Sequence, residues 1–150
     1  MKMNKLIKNT SQFIVLLPIS FMVLSQDGFP EVNNYWLRAA PPNAMMQAAY
    51  GELTNNTNGD LVLTNAYSPA FGMTEIHKTV ITDGVARMIH QGELIIKKGA
   101  KLNFQPGGLH IMLMHPIIKF QQGDRIKINF IYQQNDKRII QEIWFPVEKK

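Results

Sequence analysis

An antiparallel all-β sandwich is the fold class this sequence predicts, and three observations predict it. From Gln26 onward no segment carries a convincing helical apolar period. Short alternating or β-rich segments recur at a spacing of about ten residues, each closed by turn residues. Near the end, Ile126, Ile128 and Phe130 alternate with Lys127, Asn129 and Ile131, the period-2 pattern of a strand with one buried face. Many short strands of this kind close into a sandwich or barrel.

The first predicted strand, 35–39, is closed by Pro41, Pro42 and Asn43, and the second, 47–53, by the polar run 54–59. The third, 61–67, stops at Ser68-Pro69. Segments 73–82 and 85–91 form a hairpin around Asp83-Gly84, a strong type I′ turn signal. Short strands at 93–96 and 101–104 are split by Gly99. Pro106-Gly107-Gly108 makes a turn before a strand at 109–114. Two long strands end the chain, the second over 139–147 after the polar turn 133–137. Asn55-Asn56-Thr57 matches a glycosylation sequon and reads as a chance match in a loop.

Composition narrows the function classes. With 150 residues, 45% of them hydrophobic and 18% charged, the chain is long enough for one domain with a core. Its formal charge of +5 includes Lys2, Lys5 and Lys8, whereas all eleven acids lie from Asp27 onward. The remainder carries only +2, which gives no basic stripe for nucleic acid. The three lysines precede an uncharged run over 13–24, too short to span a bilayer comfortably, and Val23 and Ser25 are small residues at the −3 and −1 positions. Residues 1–25 therefore read as a signal peptide cleaved after Ser25, with an uncleaved anchor as the alternative, and 26–150 as one exported domain in the periplasm. Cysteine is absent, which excludes disulfides, thiolate zinc sites and a blue-copper centre of the usual kind. There is no clustered acid pair and no Ser-His-Asp arrangement, so an enzyme is not expected.

Histidine and methionine carry the remaining chemistry. If Thr82 and Val85 flank the Asp83-Gly84 turn as a pair, Thr79 faces Met88 and His77 faces His90. His77, Met88 and His90 then project from one face. His110 and Met112 share a face on the later strand, with Met114 one step further. Met45 and Met73 read as core residues. Imidazole and thioether together select Cu(I) over Zn(II), Mg(II) or Ca(II), because thioethers are soft and neutral. Weak or no zinc binding follows from the same softness.

His77, ten residues, Met88, twenty-one residues, then His110-x-Met112 make a spacing pattern that resembles the PCuAC family of periplasmic copper chaperones. The strings Glu75 to His77, Asp83 to Met88 and Pro106 to Met114 resemble it as well. The resemblance implies a cupredoxin-like, Greek-key β-sandwich. It implies one Cu(I) per chain, held at an exposed mononuclear site by His77, Met88, His110 and Met112. It also implies delivery toward the binuclear copper site of cytochrome c oxidase subunit II, directly or with a thioredoxin-like Sco-type assembly protein. A copper buffer without a dedicated acceptor fits the same ligands, and a metal-free sandwich is the third reading. His115-Pro116 stands where such proteins more often carry a small residue. His115 and His90 are therefore auxiliary ligands, additions to Cu(II) affinity, or residues of the surface or of the layer behind the ligands.

Overall fold

The computed structural model describes residues 28–150, so the signal peptide expected over 1–25 lies outside the described residues. In chain order the strands are β1 (Glu31–Arg38), β2 (Met46–Thr54), β3 (Leu61–Tyr67), β4 (Phe71–Thr82), β5 (Val85–His90), β6 (Leu94–Ile96), β7 (Lys101–Phe104), β8 (Leu109–Pro116), β9 (Arg125–Gln134) and β10 (Lys137–Glu148). No helix occurs among the described residues.

The strands form one hydrogen-bonded ladder in the order β5-β4-β8-β7-β2-β1-β10-β9-β3-β6, with β8 also paired directly to β2. Between β1 and β10 only Leu37 with Val147 and Arg38 with Glu148 are paired, in parallel. At this thin seam the ladder divides into two layers, β5-β4-β8-β7-β2-β1 and β10-β9-β3-β6. The chain crosses between layers after β2, β3, β5, β6 and β8, the crossed connectivity of a Greek-key sandwich. Pairing is antiparallel apart from this seam and a single parallel pair between β7 and β8, Phe104 with Leu109.

Alternation determines what enters the core. Ile126, Ile128, Phe130 and Tyr132 point inward from β9 and meet Leu61 and Leu63 of β3, Phe145 of β10, and Leu53, Ile76, Ile111 and Leu113 of the first layer. The Phe130 ring lies 6.2 Å from those of Tyr132 and Phe145 and 6.4 Å from that of Phe104. Burial pushes the Tyr132 phenol well above its ordinary range, and its hydroxyl donates to Gln141 Oε1 at 3.0 Å. Asn55 is wholly buried. Its amide donates to the Gly59 and Ile96 carbonyls at 2.8 Å each, and its Oδ1 accepts from the Thr57 hydroxyl at 2.7 Å. The sequon asparagine is thus a structural tie between loops.

Several strands extend beyond their expected ends. β1 starts at Glu31 rather than Tyr35, because a bulge between Asn33 and Trp36, with Asn34 at φ 49°, lets a polar stretch pair without keeping alternation. Met45 and Met73, expected in the core, are 57% and 46% exposed. Met73 pairs with Met114, and Met114 with Met46, in a methionine row across three strands. On β8, Ile111 and Leu113 take the core side, so the intervening residues face outward from the first layer.

Candidate metal centre

Three adjacent strands bring the predicted residues together. Asp83 and Gly84 have φ 53° and 75°, the doubly positive conformation of a type I′ turn. The turn fixes the β4–β5 register so that Thr82 pairs with Val85, Thr79 with Met88, and His77 with His90. On the other side β4 pairs with β8, placing His77 opposite His110 and Glu75 opposite Met112. His90, His77 and His110 therefore form a row across β5, β4 and β8. The ring centroids are 5.8 Å apart between His77 and His90, and 6.1 Å apart between His77 and His110.

The turn before β8 orients His110. Gly107 takes φ 76° there, and Gly108 presents its carbonyl to two donors. The Thr79 amide donates at 3.0 Å and His110 Nδ1 at 3.1 Å. A carbonyl can only accept, so in the neutral ring Nδ1 carries the proton and Nε2 keeps its lone pair. His77 is oriented by the same logic from the opposite nitrogen. Its Nε2 lies 2.7 Å from Glu75 Oε2, and a carboxylate also only accepts. The lone pair is then on Nδ1. His77 Nδ1 and His110 Nε2 are both buried, and neither has a hydrogen-bond partner. Buried ring nitrogens are usually satisfied. Two unpartnered ones on neighbouring rings, each with its other nitrogen pinned, form the arrangement that metal-ligating histidines adopt.

The thioethers stand beside them. Met88, Met112, His110 and Thr79 line a cavity of about 440 Å³ together with Pro106 and Gly107. Arg38 and Tyr50 line it as well. Tyr50 packs on Trp36 at 4.7 Å between ring centroids, and the Arg38 guanidinium lies 5.2 Å from the Tyr50 ring centre. Burial pushes the Tyr50 phenol up, and the Arg38 charge offsets part of that rise. His77 does not line this cavity; it stands next to His110 on β4. His110 and Met112 are 4% and 8% exposed, the His77 side chain 15%, and Met88 59%. The donor set is therefore deep on β8 and open on β5. Two imidazole nitrogens and two thioether sulfurs give a neutral, soft set that fits a cuprous ion and suits hard divalent ions poorly.

His115 is exposed, takes φ 56° near the end of β8 and donates its amide to the Met45 carbonyl at 2.9 Å, five residues beyond His110. Glu75 was missed in the sequence, although it shares a strand face with His77 at i, i−2 and that parity was readable. His90 is 61% exposed at its side chain, with Nδ1 3.8 Å from Glu75 Oε2.

The fold is that of the PCuAC domains. The chain superimposes on the solved structure "Copper-bound PCuAC domain from PmoF2" with a TM-score of 0.64 and 16% identity, over 82% of this chain and 95% of that one. It superimposes on "Solution structure of CuI-DR1885 from Deinococcus Radiodurans" with a TM-score of 0.59 and 27% identity, over 79% of this chain and 78% of that one. Residues 31–141 match the LpqE-like family model, described as "Putative lipoprotein LpqE-like", and the chain belongs to that family. It is also 33% identical over 94 residues to the uncharacterized protein RP573 of Rickettsia prowazekii, a match that takes in 62% of this chain and 52% of that protein. The chain thus spans about half the length of that relative.

Proposed function

We propose that this protein is an exported copper carrier that holds one Cu(I) with His77, Met88, His110 and Met112 and hands it to another protein. The observation that carries the reading is the pair of buried, unpartnered ring nitrogens, His77 Nδ1 and His110 Nε2, beside a cavity lined by both thioethers. The Cu(I)-bound structure at 27% identity and the copper-bound PCuAC domain support it. The basic-then-apolar leader over 1–25 and the lipoprotein description of the family support export, with the periplasm as the destination.

His77, His110 and Met112 orient and retain the ion, while Met88 closes the site from the solvent side. Thioethers bind Cu(I) weakly and without charge, so an incoming thiolate or imidazole can replace Met88 first and the deeper ligands afterwards. Nothing in this exchange requires the carrier to unfold or change oxidation state, and without cysteine it has no dithiol of its own to use. A carrier of this kind has no use for a substrate pocket and is not an enzyme. The acceptor on this reading is the binuclear copper site of cytochrome c oxidase subunit II, reached directly or through a Sco-type assembly protein.

Anaerobic titration with Cu(I) against a competing chelator, followed by incubation with the apo copper domain of the oxidase, tests both halves. One equivalent retained and then transferred is expected. Retention without transfer would favour a copper buffer, and failure to retain Cu(I) would remove the reading altogether.

A further inference from the structure

Beside the four neutral ligands of the proposed cuprous site, the hairpin face holds a second donor set. One ligating atom from each of Glu75, His77 and His90 lies within 4.8 Å of the others. Glu75 Oε2 is the hub, 2.7 Å from His77 Nε2 and 3.8 Å from His90 Nδ1. Metal bonds of about 2.0–2.2 Å can join donors up to about 4.4 Å apart, a limit that both separations from Glu75 meet. We propose that Glu75, His77 and His90 form a second binding mode, selective for a borderline divalent ion and strongest for Cu(II).

The chemistry of the set differs from that of the cuprous site. It contains no sulfur, and it contributes one negative charge through Glu75. Two imidazoles and a carboxylate with open positions suit Cu(II) and Zn(II), and among first-row divalent ions the affinity order places Cu(II) highest. A simpler role for Glu75 is to orient His77, as carboxylates behind metal-bound histidines commonly do. Orientation of His77 by Glu75 leaves unexplained why His90 turns Nδ1 toward the same carboxylate from β5, although its ring also meets that of His77 edge-on at 5.8 Å between centroids.

The two modes share His77 and exclude each other. A neutral imidazole that gives Nε2 to one ion carries its proton on Nδ1, and so cannot give Nδ1 to another. Cu(I) takes His77 through Nδ1, with Nε2–H held by Glu75, whereas Cu(II) takes Nε2 and displaces that proton. The exclusion rests on the Cu(I) reading above; the divalent site itself does not.

The test is Cu(II) titration of the full protein, read by electron paramagnetic resonance, alongside anaerobic Cu(I) titration. Wild type is expected to bind one Cu(II) with nitrogen hyperfine structure, and Cu(I)-loaded protein to refuse it. His90→Gln is expected to weaken Cu(II) binding at least tenfold and to leave Cu(I) affinity within twofold. Glu75→Gln is expected to weaken Cu(II) binding as well. An unchanged Cu(II) affinity in His90→Gln, or a wild type that binds no Cu(II), would overturn the site. Simultaneous binding of both ions would overturn the exclusion. If Met88→Leu and Met112→Leu leave Cu(I) binding untouched while His90→Gln loses Cu(II), the cuprous reading fails and the divalent site stands.

Discussion

The two arms that meet at the candidate centre differ in how firmly they are held. β8 lies between β4 on one side and β2 and β7 on the other, and its alternate residues Ile111 and Leu113 enter the core. His110 and Met112 are therefore placed by packing on both sides of the strand. β5 pairs with β4 alone, stands at the edge of the ladder, and all six of its residues are exposed. Met88 and His90 are placed by the hairpin register and by little else. The carrier role proposed above would use both properties at once: fixed donors that set selectivity, and a yielding donor through which the ion leaves. Proteins usually guard an edge strand against unwanted pairing. Here the edge strand carries Arg87 and the exposed Met88 beside the candidate site.

The largest effect should come from the fixed arm. His110→Gln keeps a donor for the Gly108 carbonyl but removes the imidazole lone pair, and Cu(I) affinity should fall by roughly 100-fold or more, beyond what loss of an outer-shell partner costs. Chelator competition reads this directly. A drop of less than tenfold would mean that the β8 arm does not anchor the ion.

Methionine swaps sharpen the contrast. Met88→Leu and Met112→Leu each remove a thioether while roughly conserving apolar volume, and each should weaken Cu(I) by about tenfold, equivalent to 1.4 kcal/mol. Their stability effects should diverge. Met88 is 59% exposed, so thermal unfolding of its variant should match wild type, whereas buried Met112 should lose up to about 1.5 kcal/mol. Their kinetics should diverge as well, with faster ion release to an acceptor from Met88→Leu. Equal release rates from the two variants would break the division into anchor and gate. Unchanged affinity in both would remove the thioethers from the site.

The same division separates what was legible in the sequence from what was not. The hairpin register was readable because Asp83-Gly84 admits few turn geometries, and the turn alone fixes which residues of β4 and β5 face each other. The pairing of His77 with His110 was not readable from local pattern. It joins strands that lie apart in the chain, and no turn dictates their register. Spacing pointed to both residues only through resemblance to a family. Glu75 lies outside the His and Met spacing that marks the site, and its role appears only once Nε2 of His77 is paired with its carboxylate. Met45 and Met73 depart from the expected core for a different reason. Methionine in a strand suggests core, but alternation does not say which face of a sheet is the inner one until its neighbours are known.

The smallest effect should come from the turn that holds the yielding arm. Gly84 sits at φ 75° with open space where a Cβ would project, so only backbone conformation resists a side chain there. Gly84→Ala should cost about 1 kcal/mol, the penalty of the left-handed region for an L-residue. Because β5 pairs only with β4, that penalty should fall on opening of the hairpin rather than on the sandwich as a whole. Hydrogen exchange can separate the two: amides of β5 should exchange about fivefold faster, and those of β8 should not change, since 1 kcal/mol is close to a fivefold shift in an opening equilibrium. Cu(I) affinity should fall by less than that same factor, because only the fraction of molecules with an open hairpin loses Met88 while His110 and Met112 keep their places. Exchange that accelerates equally in β8 would show that the hairpin and the anchor strand open together, and the difference between the two arms would then be one of exposure alone.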